Sequence, residues 1–410
     1  MPAPPIDPAM TLKDDPFSDL PSASARRGLL LHDTRIRGVI LQALLAVAII
    51  AFFGWIVANT VANINRLNLA AGFGFLWQRA GFDISQTLIP YTHDSTYFRA
   101  LLVGLTNTLL VAVVGIVAAS VLGFTIGIAR LSRNWLLARF AAAYIETLRN
   151  VPLLLQLLFW YTAVLQIMPA VRASIELPFR SYLNLRGLFI PRPVSEPGLG
   201  AVGIALLAAI AAAIALVRWA RRRQAATGRP FPALSVGLLM IVALPALVFI
   251  ATGQPISLEF PVLERFNFQG GIHVLPELLA LLLGLSLYTA AFIAEIVRGG
   301  ILAVPRGQTE AARAVGLRPA AMMRLVILPQ AFRVIVPPLT NQYLNLTKNS
   351  SLAVAIGYPD LVGVFKNTVL NQTGHALEVI FITMMIYLAL SLLTAVLMNW
   401  FNKRWAIRER

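Results

Sequence analysis

An all-α protein crossing a membrane about eight times is the fold class this chain predicts, and three observations predict it. Of its 410 residues, 58% are hydrophobic and only 13% are charged, too apolar a balance for an ordinary soluble domain of that length. The apolar residues gather in runs near the roughly 20 residues a helix needs to cross a hydrocarbon core of roughly 30 Å. Ten-residue segments of strict alternation, the mark of a membrane β-barrel, are missing.

In chain order, residues 1–37 are rich in Pro, Ser and Asp and hold no apolar run, so they read as a disordered cytoplasmic tail. The first run, Gly38–Thr60, is too long for a signal-peptide core and is expected to stay as an anchor over residues 38–60. A long outside segment marked by Gly72, Gly74 and Gly81 follows. Arg99–Ala129 and Ala141–Ile167 then predict a helical hairpin with a basic turn inside. Met168–Leu199, with its many Pro and Arg residues, reads as an outside loop. Gly200–Val217 and Leu234–Ala251 are the next two spans, joined by the basic Arg218-Trp-Ala-Arg-Arg-Arg. Val274–Val297, Val334–Gly357 and Leu377–Phe401 complete the set. Residues 402–410 form a short cytoplasmic tail. Asn341, Asn345 and Lys348 interrupt the apolar character of the seventh run.

The net charge of +16 could point to an anionic partner, but its placement points to topology. With the amino terminus inside and eight alternating spans, the inside segments hold more than twice as many Lys and Arg as the outside loops. The positive-inside rule requires that asymmetry. It places both termini and the segment around Glu310 in the cytoplasm, and dropping any one span would reverse every side after it. Nucleic acid is therefore not expected as a partner; the lipid bilayer is.

Cysteine is absent, which removes disulfides and thiolate metal sites. His32, His93, His273 and His375 are scattered without ligand spacing, so no metal site is expected. Neither a nucleophile–base arrangement nor the Gly-x-x-x-x-Gly-Lys-Ser/Thr phosphate cradle occurs. The chain is not expected to be an enzyme.

The most informative segment lies between the sixth and seventh spans, over residues 305–333. Pro305-Arg306-Gly307 is expected to stop the preceding helix. Gln308–Val315 then predicts two helical turns, with Glu310 in the first turn favoured by the helix dipole. The Ala311-Ala312 pair leaves a thin face that another backbone can approach. Gly316 suits the left-handed position that ends a helix. Pro319 suits the start of a second helix, and Leu328-Pro329 is expected to break that one before the next span. By physics alone the segment serves equally as an interfacial connector between two spans.

Glu310, Ala311, Ala312, Gly316, Leu328 and Pro329 stand at the spacing of the coupling loop of ABC importer permeases, which this segment closely resembles. Three further blocks resemble the polar amino acid permeases of the histidine and glutamine type. They are Tyr144-Ile-Glu-Thr-Leu-Arg-Asn-Val-Pro-Leu-Leu-Leu-Gln, Tyr288-Thr-Ala-Ala-Phe-Ile-Ala-Glu-Ile-Val-Arg-Gly-Gly-Ile and Lys348-Asn-Ser-Ser-Leu. The resemblance covers residues 98–167 and 274–401. It implies a five-helix core, to which this chain adds one amino-terminal helix and an insert, residues 168–273, carrying two more. In this it is similar to the long permease subunits of general L-amino acid transporters.

The resemblance also implies function. It implies a bacterial inner-membrane permease for L-amino acids, coupled through the Glu310 loop to separate ATPase subunits. ATP and Mg would bind those subunits, with no cofactor on this chain. A periplasmic amino acid-binding protein and a second permease are the other partners implied, the permease pair being either a heterodimer with a related chain or a homodimer. An autonomous secondary transporter or channel is the alternative, favoured by broken midplane helices and paired inverted repeats, and the sequence shows neither.

Two charge pairs, Glu146/Arg149 and Glu295/Arg298, lie three residues apart and so share a helix face. Both read either as structural pins or as a gate at the inner ends of their helices. Asn341, Asn345 and Lys348 make a polar stripe at helical spacing, read either as pathway lining or as packing against a partner. Charged groups inside spans are costly and usually face protein or a water path.

Overall fold

The computed structural model describes residues 34–66 and 72–405. The tail expected over residues 1–37 lies outside the described residues up to residue 33, and residues 34–37 already belong to the first helix. The chain divides into two compact units, residues 1–71 and 72–410. The first unit holds α1 (Thr34–Arg66), whose apolar window Arg37–Asn63 is long enough to span a bilayer. Leu41, Phe53 and Trp55 on it are exposed.

In the second unit, α7 (Pro276–Leu302) is the central helix, with 61% of its apolar window buried against 28% or less for the other unbroken spans. It packs along α2 (Tyr97–Arg130) and against α10 (Leu328–Asn349). Small residues permit the approach: a Cβ at Gly127 on α2 would lie 2.7 Å from the Ala294 carbonyl oxygen on α7. Gly127 meets Ala294 near the end of both helices, so α2 and α7 run parallel and Arg130 shares a face with the α7 carboxyl end. Thr96 caps α2 by accepting from the Arg99 amide, and Asn134 caps α3 (Trp135–Asn150) by accepting from Leu136 and Leu137. Both are side-chain oxygens satisfying orphan donors.

The third predicted span, Ala141–Ile167, is not one rod. The helix bends by 107° between α3 and a second piece, residues 153–165, formed by α4 (Leu153–Leu158) and a wide turn over Phe159–Leu165. Pro152 disfavours the helical region for Val151, which is extended at φ −95°, ψ 128°. The freed carbonyls are not orphaned, because the Gln156 amide donates to Leu148 and Val151, each at 2.9 Å. Among the described residues, seven helices are long and apolar enough to cross a membrane, or eight if the bent pair is one span.

The seventh span also differs from expectation. Leu328-Pro329 does not break the chain there. α9 (Pro319–Met322) passes through a wide turn, Met323–Ile327, directly into α10, and a short tight helix, Ser350–Ile356, extends it. A proline in the first turn of α10 lacks only an N–H that the wide turn has already released from the ladder. The candidate span Pro319–Ile356 has 38 residues, about 57 Å of helix, longer than an apolar core of roughly 30 Å.

The insert's outer segments, expected as loops, form short antiparallel strands. β1 (Ile175–Leu177), β2 (Ser181–Asn184), β3 (Gly187–Ile190) and, later in the chain, β8 (Ile272–Val274) make one sheet in that order. β4 (Arg192–Ser195) pairs with β5 (Ile256–Glu259), and β6 (Val262–Glu264) with β7 (Asn267–Gln269). Phe189, Phe268 and Val171 give this platform its own small core, with Tyr182 stacked on Phe268 at 4.6 Å. Between β4 and β5 run the inserted helices α5 (Leu199–Thr227) and α6 (Ala233–Ala251). α11 (Ala376–Trp405) closes the chain, absorbing the first residues of the expected 402–410 tail; residues 406–410 lie outside the described residues.

Candidate functional site

α8 (Arg306–Ala314) fills the segment after α7. It begins two residues before the expected start, with Pro305 as its cap residue and Gly307 inside its first turn. Glu310 therefore lies beyond that turn, and the expected dipole stabilisation does not apply. The other end matches the sequence reading. Gly316 is left-handed at φ +76°, its amide donates to the Arg313 carbonyl at 2.9 Å, and the Leu317 amide donates to that of Ala312 at 3.1 Å. These two bonds are a Schellman stop.

One side of α8 is seated and the other is free. Ala312, 4% exposed, packs on Met322 and Ile327, with Ile301, Val304 and Leu317 around them. The Gln330 side-chain amide donates to Gln308 Oε1 at 3.2 Å, tying α8 to the base of α10. Glu310, Ala311, Arg313 and Val315 are exposed, Val315 at 76%. Leu328 and Pro329 are half-buried in the first turn of α10. Of the six motif residues, Glu310, Ala311 and Ala312 belong to a short rod stopped by Gly316, while Leu328 and Pro329 lie in α10; the rod is held on one side by apolar contacts and presents a carboxylate and a small apolar strip on the other.

The two charge pairs do not behave alike. Glu295 and Arg298 on α7 form a two-pronged ion pair, with Arg298 Nε donating to Oε2 at 3.0 Å and Nη2 to Oε1 at 2.5 Å, both half-buried. Glu146 and Arg149 on α3 are not paired. Arg149 lies instead over the Phe292 ring of α7, 5.1 Å from its centre, and Glu146 is exposed. Arg149 and Arg130 are within electrostatic reach of Glu295, so one carboxylate sits among three guanidinium groups where α2, α3 and α7 meet.

Asn341, Asn345 and Lys348 share an exposed face of α10. Lys348 lines an open groove of about 440 Å³ with Ser351, Val362, Thr383, Tyr387 and Ser391; the two asparagines do not. Behind the groove is a buried polar cluster that the sequence reading missed. Asp360 has no exposure and accepts from the Gly363 amide at 2.7 Å and the Tyr387 hydroxyl at 3.3 Å. Thr108 of α2 accepts from the Leu361 amide at 3.0 Å. Asn107 donates to the Pro359 carbonyl at 2.8 Å and to that of Gln86 at 2.9 Å. Tyr387 belongs to both sites, joining the Lys348 groove to the Asp360 cluster. The available signal was a lone carboxylate in Gly357-Tyr-Pro-Asp-Leu, just past an apolar run.

Among the described residues no cluster of three His, Cys, Asp or Glu could hold a metal ion.

Residues 201–407 match the family described as the binding-protein-dependent transport system inner membrane component. The chain is similar to the general L-amino acid transport system permease protein AapQ of Rhizobium johnstonii, 54% identical over 93% of this chain and 95% of that protein. It is also similar to the glutamate/glutamine/aspartate/asparagine transport system permease protein BztB of Rhodobacter capsulatus, 44% identical over 96% of this chain and 99% of that protein. With its long apolar helices and its capped α8 rod, this chain belongs to the family of inner membrane components of binding-protein-dependent transport systems.

Proposed function

We infer that this chain, a multi-pass permease subunit, carries L-amino acids in an ATP-driven importer and couples to a separate ATPase through α8. The single observation behind the coupling role is the seating of α8. Its Ala312 side is fixed to Met322 and Ile327 at the junction of α7 and α10, while Glu310, Ala311 and Val315 are exposed. A push on that free side moves the ends of two spans together, which is how rigid-body alternation of access can be driven. Amino acids as cargo are supported by the transport roles of the two relatives. ATP and Mg then bind the ATPase and no cofactor sits on this chain. Both termini and α8 are cytoplasmic, a periplasmic binding protein delivers substrate on the opposite face, and the exposed Asn341, Asn345 and Lys348 stripe lines the pathway that this chain forms with a second permease. Residues 98–167 and 274–401 are the permease core, with 168–273 as an insert.

The test is co-purification of the full transporter in mild detergent. The tagged chain is expected to bring a nucleotide-hydrolysing subunit with it, and Glu310→Lys with Val315→Asp to release that subunit while the membrane chain keeps its melting temperature. Uptake of amino acids by vesicles holding this chain alone would instead establish an autonomous transporter.

A further inference from the structure

The insert has no part in the coupling rod, and its helices carry a site of their own. α5 and α6 pack chiefly on each other through small residues: Ala205, Ala209 and Ala213 are buried on α5, and a Cβ at Gly237 would lie 3.3 Å from that of Ala213. This close approach leaves a long apolar groove of about 360 Å³, with Ala213 and Gly237 at its floor, Ile214 and Leu238 on its sides and Arg218 and Arg221 at one end.

The charge at that end is uncompensated within the hairpin. No Asp or Glu occurs between Glu196 and Glu259, while Arg218, Arg221, Arg222, Arg223 and Arg229 all do. None of these arginines takes part in an ion pair among the described residues. Beside them, Arg223 lies over the Trp219 ring at 5.3 Å, and Trp219 meets Phe231 edge-on at 5.5 Å. Such an aromatic pair suits the headgroup depth of a bilayer. The β4–β5 pair ties the opposite ends of α5 and α6 together, and the β3–β8 pair links that platform to the start of α7. The arginine end therefore lies toward the face that carries α8.

We propose that this groove binds one anionic phospholipid, an acyl chain lying between α5 and α6 and the phosphate held by Arg218 and Arg221. A guanidinium offers a planar fork that matches phosphate oxygens. A basic pocket between membrane helices is where acidic headgroups bind. A soluble anion satisfies the arginines but leaves the apolar groove unfilled, and a zwitterionic lipid fills the groove but sets a cationic headgroup beside arginines whose charge is already uncompensated. Only a ligand with both parts meets the whole site.

The test is native mass spectrometry of the intact detergent-purified transporter, titrated with phosphatidylglycerol, with phosphatidylcholine of the same chains, and with inorganic phosphate. Phosphatidylglycerol is expected to be retained at one per copy of this chain, and phosphatidylcholine not. Arg218→Gln with Arg221→Gln is expected to weaken retention roughly thirty-fold, from about fivefold per arginine at an anionic surface. Arg222→Gln with Arg223→Gln, outside the groove lining, is expected to change it less. Ile214→Trp fills the groove with all arginines present and is expected to weaken retention as well; it decides the matter if the double arginine variant does not assemble. Equal retention of the two lipids overturns the proposal, as does binding of phosphate as tight as that of phosphatidylglycerol. Unchanged lipid retention with loss of a protein subunit from the double arginine variant overturns it too, since a protein then occupies the arginines.

Discussion

Asp360 shows how much a single side chain depends on its surroundings. It lies in the segment between Ile356 and Ala376, past the ends of the two neighbouring spans. Burial is the leading influence on it and pushes its pKa from 3.8 up to about 7, although the backbone amides of Gly363 and Val362 and the Tyr387 hydroxyl act the other way. Between pH 4 and 7 the folded chain holds a proton that the unfolded chain releases, so this residue's contribution to stability falls as pH rises through that window and then levels off. Asp360→Asn stays neutral throughout. From pH 4 to 7 its stability is expected to gain on that of the natural chain by on the order of a few kcal/mol, read from melts of both at matched pH; a constant gap would reject a buried neutral carboxyl. Lys348, in the lining of the adjoining groove, is exposed. Lys348→Gln is expected to lower amino acid uptake at least severalfold at normal surface expression. Unchanged uptake would remove Lys348 from the pathway.

At the level of elements, what was legible in the sequence is what local geometry fixes. The stop after α8 was readable because only a residue tolerant of positive φ fits there, and Gly316 has φ +76°. Gly316→Val puts a branched side chain into that conformation, at a cost of roughly 1–2 kcal/mol. The helix end is expected to fray, and the ATPase subunit to be retained less well on co-purification, while the α2–α7 bundle melts as before. Pro329 was not readable in the same way. Its missing N–H breaks a regular helix, but a wide turn over Met323–Ile327 lets the chain continue. Pro152 made the opposite choice and bent its helix by 107°, with Gln156 placed to satisfy the carbonyls the bend exposed. The same spacing of Glu and Arg closed an ion pair on α7 but not on α3, because Phe292 offers Arg149 a ring face.

For the whole molecule, sidedness is the property that connects charge to function. Under the proposed topology the arginines of the α5–α6 end, the α8 segment and Arg130 belong to the inner face, and the strand platform to the outer. The chain has no cysteine, so single cysteines report sides cleanly. Val315→Cys, at a site 76% exposed, and Phe179→Cys, at a site 86% exposed, are expected to label from opposite sides. A membrane-impermeant thiol reagent applied to whole cells should reach only Phe179→Cys. Labelling of Val315→Cys from outside would place α8 on the wrong face for an ATPase.

The sequence by itself determined the membrane class, the approximate position of each apolar run, the charge asymmetry and the α8 stop. Each follows from hydropathy summed over about 20 residues or from one backbone conformation. Tertiary structure decided the bend at Pro152, the continuous helix through Pro329, the strands of the insert, the burial of Asp360 and the groove between α5 and α6. These depend on which neighbour supplies a hydrogen bond, a ring face or a small side chain, and such neighbours are brought together only by folding: Thr108 and Leu361, or Ala213 and Gly237.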